Sequence, residues 1–122
     1  MTIIASGIML DEALKAEELL AKEGVSARVI DMHTWKPLDE ELVLKAAQET
    51  GCIVTAENHQ VSCGLGSAVA NVLTEKCLVP LERVGIRNRF GQVGPQDFLM
   101  KEYNLTADDI AAAAYRAMKR KA

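Results

Sequence analysis

The sequence predicts an α/β fold, a three-layer α/β/α sandwich built on a mainly parallel sheet of about four strands. Strand-like runs alternate three times with stretches of helical periodicity before a helical tail, which is typical of parallel strands joined by right-handed crossovers. The strand-like runs are apolar without strict alternation, as expected when helices cover both faces of a sheet. With 122 residues and no visible repeat or linker, the chain is predicted to form one domain over residues 1–122.

The first half of the chain contains two predicted strand-helix units. Residues 2–5 form a β-branched run that predicts the first strand, and residues 10–23 follow with helical spacing of their apolar side chains. Residues 27–32 predict the second strand, and Asp39 is placed to cap the helix that follows it. Gly24 suits the left-handed position that follows a helix, and Gly51 closes the second helical segment.

The last third of the chain predicts a fourth strand and two helices. Residues 81–86 form the strand, and Pro95 is suited to the first turn of a short helix that ends at Leu99. Thr106 and Asp109 have the spacing of a capping box for the last helix. One apolar face of this helix is made by four residues: Ile110, Ala113, Ala114 and Ala117.

The composition argues against several classes of function. A net charge of −3 and an aromatic content of 4% do not favour nucleic-acid binding, and we expect none. No apolar run approaches the roughly 18 residues of a membrane span, so we expect no membrane partner. The three cysteines lack the spacing of a zinc or redox motif and are predicted to be reduced, which favours a cytoplasmic protein: Cys52, Cys63 and Cys77.

The third predicted strand, residues 52–56, ends in polar residues, and a glycine-rich turn then opens a helix. Because ligands and partners meet an open α/β sheet at the carboxyl ends of its strands, this region is the candidate crevice or interface. Gly64 and Gly66 suit a tight turn with close packing better than a phosphate cradle, since a third glycine is missing. Glu57 and His59 fit hydrogen bonding in a loop or interface better than an acid/base pair. The candidates are Ser6, Gly7, Glu57, Asn58, His59, Gly64, Gly66 and Ser67.

Several segments together resemble the C-terminal domain of transketolase. They include the motifs Glu57-Asn58-His59 and Gly64-Leu65-Gly66-Ser67, and they occur in order and with matching lengths over nearly the whole chain. The segments are residues 2–7, 27–34, 36–39, 53–59, 64–69 and 84–91. The pattern is shared with deoxyxylulose phosphate synthase and the β chains of 2-oxoacid dehydrogenases, and it is most similar to the C-terminal part of split, two-chain transketolases.

The resemblance implies a place in an enzyme of the pentose phosphate pathway. Transketolase moves a two-carbon ketol unit between sugar phosphates, using thiamine diphosphate and a divalent metal such as Mg²⁺ held by its other domains. This chain would therefore contain no catalytic, cofactor-binding or metal-binding residue and would be inactive alone. It would pack against the cofactor-binding domains or subunit and take part in the assembly of a homodimeric parent.

The resemblance also implies a strand that this sequence does not contain. The family's domain opens with an antiparallel edge strand just before the segment that matches residues 2–5, where this chain has only Met1. We expect this chain to be a piece of a longer polypeptide, or the edge strand to come from elsewhere. An alternative function is a stand-alone regulatory module that binds a small anion or nucleotide at Ser6-Gly7 and residues 57–59. The sequence disfavours it, because neither a receiver's acidic cluster nor a flavin site's phosphate-binding loop is present.

Overall fold

The computed structural model describes residues 1–32, 38–60, 64–86, 100–101 and 104–121, without the side chains of His59 and Gln60. The strands described are β1 (Thr2–Ala5), β2 (Arg28–Asp31), β3 (Ile53–Gln60) and β4 (Leu81–Ile86). The helices are α1 (Met9–Lys22), α2 (Glu40–Thr50), α3 (Leu65–Lys76) and α4 (Ala107–Arg120). The predicted short helix from Pro95 to Leu99 lies outside the described residues.

The four strands form one parallel sheet in the order β2-β1-β3-β4. Helices pack on both faces, so the predicted three-layer sandwich is confirmed. The antiparallel edge strand is not among the strands of the described part of the chain. Strand β2 lies on one side of β1. The chain then crosses back, so that β3 lies on the other side of β1.

Alternate residues of the central strands divide the core into two halves. Ile3 and Val54 face α1 and α4, whereas Ile4 and Ile53 face α2 and α3. All four side chains are fully buried, and burying an aliphatic side chain of this size contributes about 1.5–3 kcal/mol. This double burial explains why the strands lack the polar alternation of a sheet with one wet face.

The predicted helix ends are confirmed. Gly24 and Gly51 follow α1 and α2 with φ angles of +80° and +78°. The Asp39 Oδ1 atom accepts a hydrogen bond from the Leu42 amide at 3.2 Å. At the start of α4, the amide of Thr106 donates to Asp109 Oδ2 at 2.9 Å, which is one half of the predicted capping box.

A charged network joins α4 to β4. Glu82 accepts hydrogen bonds from Arg116 Nε at 3.0 Å and from Arg120 Nη1 at 2.5 Å. Partial burial of Glu82 by itself raises the pKa of its carboxyl, but the two guanidinium groups outweigh this effect, and the pKa lies below its ordinary value of 4.5. The ionised form of Glu82 is therefore favoured in the folded protein.

Glu82 should make stability depend on pH in the acid range. Because folding lowers its pKa, its contribution is complete above the ordinary value of 4.5 and is lost as the pH falls through the lower folded pKa. Glu82→Gln should therefore be less stable than the wild type at pH 7, and the difference should shrink between pH 5 and roughly pH 3. Urea unfolding across this range measures it. A difference that stays constant with pH would contradict the prediction.

Candidate functional site

The carboxyl edge of the sheet brings part of the predicted site together. Ser6 and Gly7 follow β1 beside β3, at the point where the strand order reverses, which is the usual ligand crevice of an open α/β sheet. The amide of Ser6 donates to the Ala56 carbonyl at 3.2 Å, and Gly7 adopts a φ of +59°. A Cβ on Gly7 would lie 3.6 Å from Asn58 Oδ1. Ser6, Gly7 and Asn58 are thus neighbours, as predicted for one edge of a parallel sheet.

Strand β3 is longer than predicted. It continues to Gln60, so Glu57, Asn58 and His59 lie within the strand and not in a loop after residue 56. Its register with β4 shifts: Ala56 pairs with Val84 and Gln60 with Ile86, so four steps on β3 match two on β4. Such an irregularity changes the direction in which side chains leave the strand, here among the polar residues at the carboxyl end of β3.

Glu57 is a fully buried carboxylate that caps α3. Its Oε1 accepts from the Leu65 amide at 3.0 Å, and its Oε2 accepts from the Gly66 amide at 2.6 Å. Amides of the first helical turn have no carbonyl partner within the helix, and the helix dipole adds positive potential there. Two charge-assisted hydrogen bonds therefore offset the desolvation of the carboxylate.

The glycine-rich turn serves close packing of α3 on the sheet. Gly64 is the N-cap residue, and Gly66 lies in the first turn beside half-buried Ser67. A Cβ on Gly66 would come within 2.9 Å of both Thr55 Oγ1 and Arg83 Cδ, which is closer than van der Waals contact allows. A phosphate cradle is disfavoured, because a phosphate at the amides of the first turn would meet the carboxylate that already accepts from them.

The hydroxyl of Thr55 lies beneath this turn and was not predicted as a site residue. Thr55 is fully buried, and its Oγ1 has no hydrogen-bond partner among the residues that the structure describes. A buried hydroxyl without a partner is unfavourable by about 1–3 kcal/mol. The sequence contains no signal for it, because an apolar strand accepts threonine as readily as valine.

Carboxylates lie at the start of every described helix. Asp11 and Glu12 are in the first turn of α1, Asp39 caps α2, Glu57 caps α3, and Asp109 caps α4. The Glu12 Oε2 atom also accepts from the Ala107 amide of α4 at 2.9 Å, a contact between residues 95 positions apart that the sequence could not reveal. Helix N-termini normally attract anions. Acids of this chain occupy that role here, which disfavours the alternative function of anion or nucleotide binding.

The described residues do not fit the diphosphate and metal of a thiamine cofactor. Over this part of the chain, no group of three His, Cys, Asp or Glu residues could hold a metal ion. The acids at the helix starts would also repel a diphosphate. The side chain of His59 lies outside the described set, so its predicted hydrogen bonding in a loop or interface stays a prediction. No helix in the described ranges is long and apolar enough to cross a membrane.

Comparison with known proteins identifies the family. Residues 1–110 match the model of the family described as transketolase, C-terminal domain. The chain belongs to this family. The resemblance noted in the sequence is thereby confirmed.

Curated members of the transketolase family are similar over nearly the whole chain. The 6-deoxy-6-sulfo-D-fructose transketolase subunit SqwH of Clostridium sp. strain MSTE9 is 53% identical over 99% of this chain and 38% of its own length. A putative transketolase C-terminal section of Methanocaldococcus jannaschii is 41% identical over 98% of this chain and 37% of its own length. The 1-deoxy-D-xylulose-5-phosphate synthase 1 of Geobacter sulfurreducens is 44% identical over 93% of this chain and 18% of its own length. The chain thus spans about two-fifths or less of these relatives.

A solved structure has the same transketolase C-terminal fold. A split gene transketolase, an inactive β4 tetramer, superposes with a TM-score of 0.95 at 48% identity, over 99% of this chain and 40% of the other. Transketolase from Campylobacter jejuni superposes with a TM-score of 0.65 at 19% identity, over 94% of this chain and 16% of the other, which shows the shared fold alone.

Glu57→Gln should destabilise the domain. Glutamine keeps one acceptor but places an NH₂ group against the second amide, so a buried donor loses its partner. We expect a loss of about 1–3 kcal/mol in the free energy of unfolding, measured in urea. The control is Glu40→Gln, which removes an exposed pair with Lys76 of the same helix α3 and should cost at most about 1 kcal/mol. Equal losses in the two variants would contradict the capping role.

Thr55→Val should stabilise the domain by about 1 kcal/mol, because it removes a buried hydroxyl that lacks a partner while keeping the shape of the side chain. Thr2→Val is the matched control. Thr2 is also fully buried, but its Oγ1 lies 2.7 Å from Thr50 Oγ1, so the same substitution there should lower the stability by about 1 kcal/mol. Thermal and urea unfolding measure both. A loss of stability in Thr55→Val would overturn this assignment.

Proposed function

We propose that this chain is the C-terminal part of a thiamine diphosphate-dependent transketolase divided between two polypeptides. It packs against the cofactor-binding subunit and supports the assembly of a homodimeric cytoplasmic enzyme, and it is inactive alone. The observation that carries the proposal is the likeness to a split gene transketolase, with a TM-score of 0.95 at 48% identity. Two curated relatives support it, since one is called a transketolase subunit and the other a C-terminal section.

The structure supports a role in assembly better than a role in catalysis. Glu57 is a carboxylate at the crevice, but its two oxygens are buried and accept from the amides of Leu65 and Gly66. A general acid or base must be within reach of a substrate proton, and a group held this way inside the domain is not. Thiamine diphosphate, when bound by the partner, would supply the carbanion chemistry of ketol transfer. The proposed contribution of this chain is to complete the protein around that centre.

A second candidate is the equivalent domain of a deoxyxylulose phosphate synthase. The relative from Geobacter sulfurreducens favours it, with 44% identity, a value between those of the two transketolase relatives. The two parents differ in their products, so the product formed by the assembled enzyme distinguishes them.

The proposal is tested by capture and reconstitution. The immobilised chain is exposed to a lysate of its source organism, and mass spectrometry should identify a protein that carries the cofactor-binding transketolase domains. That protein, produced separately, should gain ketol-transfer activity from added chain in the presence of thiamine diphosphate and Mg²⁺, with each protein inactive alone. Formation of 1-deoxy-D-xylulose 5-phosphate would favour the second candidate. Full ketol-transfer activity of the partner without this chain would overturn the proposal.

A further inference from the structure

Helix α4 is joined to α1 by two carboxylates, one near each end of α1. The Glu12 Oε2 atom accepts a hydrogen bond from the Ala107 amide at 2.9 Å, at the start of α4. The Glu23 Oε2 atom accepts from the hydroxyl of Tyr115, in the second half of α4. Hydrogen bonds to charged groups are the stronger ones, and a proton on either carboxylate would remove its charge. Both contacts should therefore weaken in acid.

A third carboxylate, Glu82 of β4, holds the last turns of α4. It accepts from the guanidinium groups of Arg116 and Arg120. Arg120 Nη1 also donates to the carbonyl of Leu81 at 3.1 Å. Of the side-chain hydrogen bonds that join α4 to the other described elements, this last one alone has an acceptor that is not an acid. The polar attachment of α4 therefore depends mainly on ionised carboxylates.

The fully buried apolar side chains of α4 are small. One of the four is isoleucine, and the other three are alanine. On the opposite face of the sheet, α3 buries two leucines and two valines. Because the stabilisation from apolar burial is roughly proportional to the area removed from water, α4 gains less from this source than α3 does. The carboxylate contacts accordingly carry a larger share of its attachment.

The charged neighbours of the three acids belong to α1, β3, β4 and α4 itself. Those of α1 and α4 are Lys15, Lys22, Asp108, Asp109 and Lys119. The other charged side chains described on β3 and β4, Glu57 and Arg83, are directed toward α3. In acid the carboxylates lose their charge, whereas Arg116 and Arg120 keep theirs. The attraction of these arginines to Glu82 would then give way to repulsion among the cations of the last turns.

We propose that α4 is the acid-sensitive element of this fold. When Glu12, Glu23 and Glu82 are protonated, α4 leaves the sheet as a unit before the other elements unfold. Its departure uncovers apolar side chains of β3 and β4 that pack in the same half of the core, among them Val54 and Val84. The inference depends on these contacts alone and is independent of the proposed function.

The test uses the full chain and two triple variants. The first replaces Glu12, Glu23 and Glu82 by glutamine, which keeps an acceptor oxygen without the charge and so imitates the acid form at pH 7. The matched control removes the same number of charges from α2 and α3, across the sheet. Its substitutions are Glu40→Gln, Glu41→Gln and Glu75→Gln.

Amide hydrogen exchange, corrected for the intrinsic rate at each pH, measures the opening of individual helices. Ala113 and Ala114 report on α4, and Ala46 and Ala47 report on α2. The pKa of Glu82 lies below 4.5, so its contact is lost only as the pH falls below that value. The pH series therefore runs from pH 7 to about pH 3.5. Binding of the dye ANS reports the uncovered apolar surface.

We expect the protection of the α4 amides to fall at least about tenfold more than that of the α2 amides over this range, with a rise in ANS binding. The first triple variant should show the same selective loss at pH 7, whereas the control should keep the wild-type values. Equal losses in α4 and α2 of the wild type would overturn the inference, as would wild-type protection of α4 in the first triple variant. If that variant does not fold, the wild-type pH series decides alone.

Discussion

The hydrogen bonds that the amides of Leu65 and Gly66 donate to Glu57 are the constraint on which the carboxyl edge depends. They join the longest strand of the sheet to the helix that follows it, and they set how closely α3 approaches. The missing side chain at Gly66 permits that approach, which covers the buried hydroxyl of Thr55. Two polar side chains of this edge, Glu57 and Thr55, are therefore directed into the protein and away from solvent.

This inward direction explains why a crevice at the switch point of an α/β sheet need not be a ligand site. In nucleotide-binding proteins built on an open α/β sheet, a free helix N-terminus supplies the amides that hold phosphate. In this chain the comparable amides of α3 and α4 donate hydrogen bonds to the carboxylates of Glu57 and Glu12. The fold keeps the topology of a nucleotide-binding sheet, while carboxylates of the chain itself lie where those proteins hold phosphate.

Local features of the fold could be predicted from the sequence, and long-range ones could not. Asp39 and the pair Thr106 and Asp109 act within three or four residues, so their spacing alone reveals the caps. Gly24 and Gly51 are similarly local, because a positive φ after a helix favours glycine. The end of β3 was predicted four residues too early, since its extension depends on pairing with Ile86. The partner of Glu57 also depends on tertiary packing, which periodicity does not encode.

The shape of the outer strand β2 bears on whether this edge of the sheet can pair with other chains. An unpaired strand edge is a template on which strands of other chains can grow into aggregates. Strand β2 is only four residues long, and its ends, Arg28 and Asp31, are exposed and oppositely charged. Its Arg28 is further engaged by Glu49 at 2.9 Å. A short edge bounded by charge is a poor template, so β2 is poorly suited to pair with the strands of other chains and to start β-aggregation at this side of the sheet.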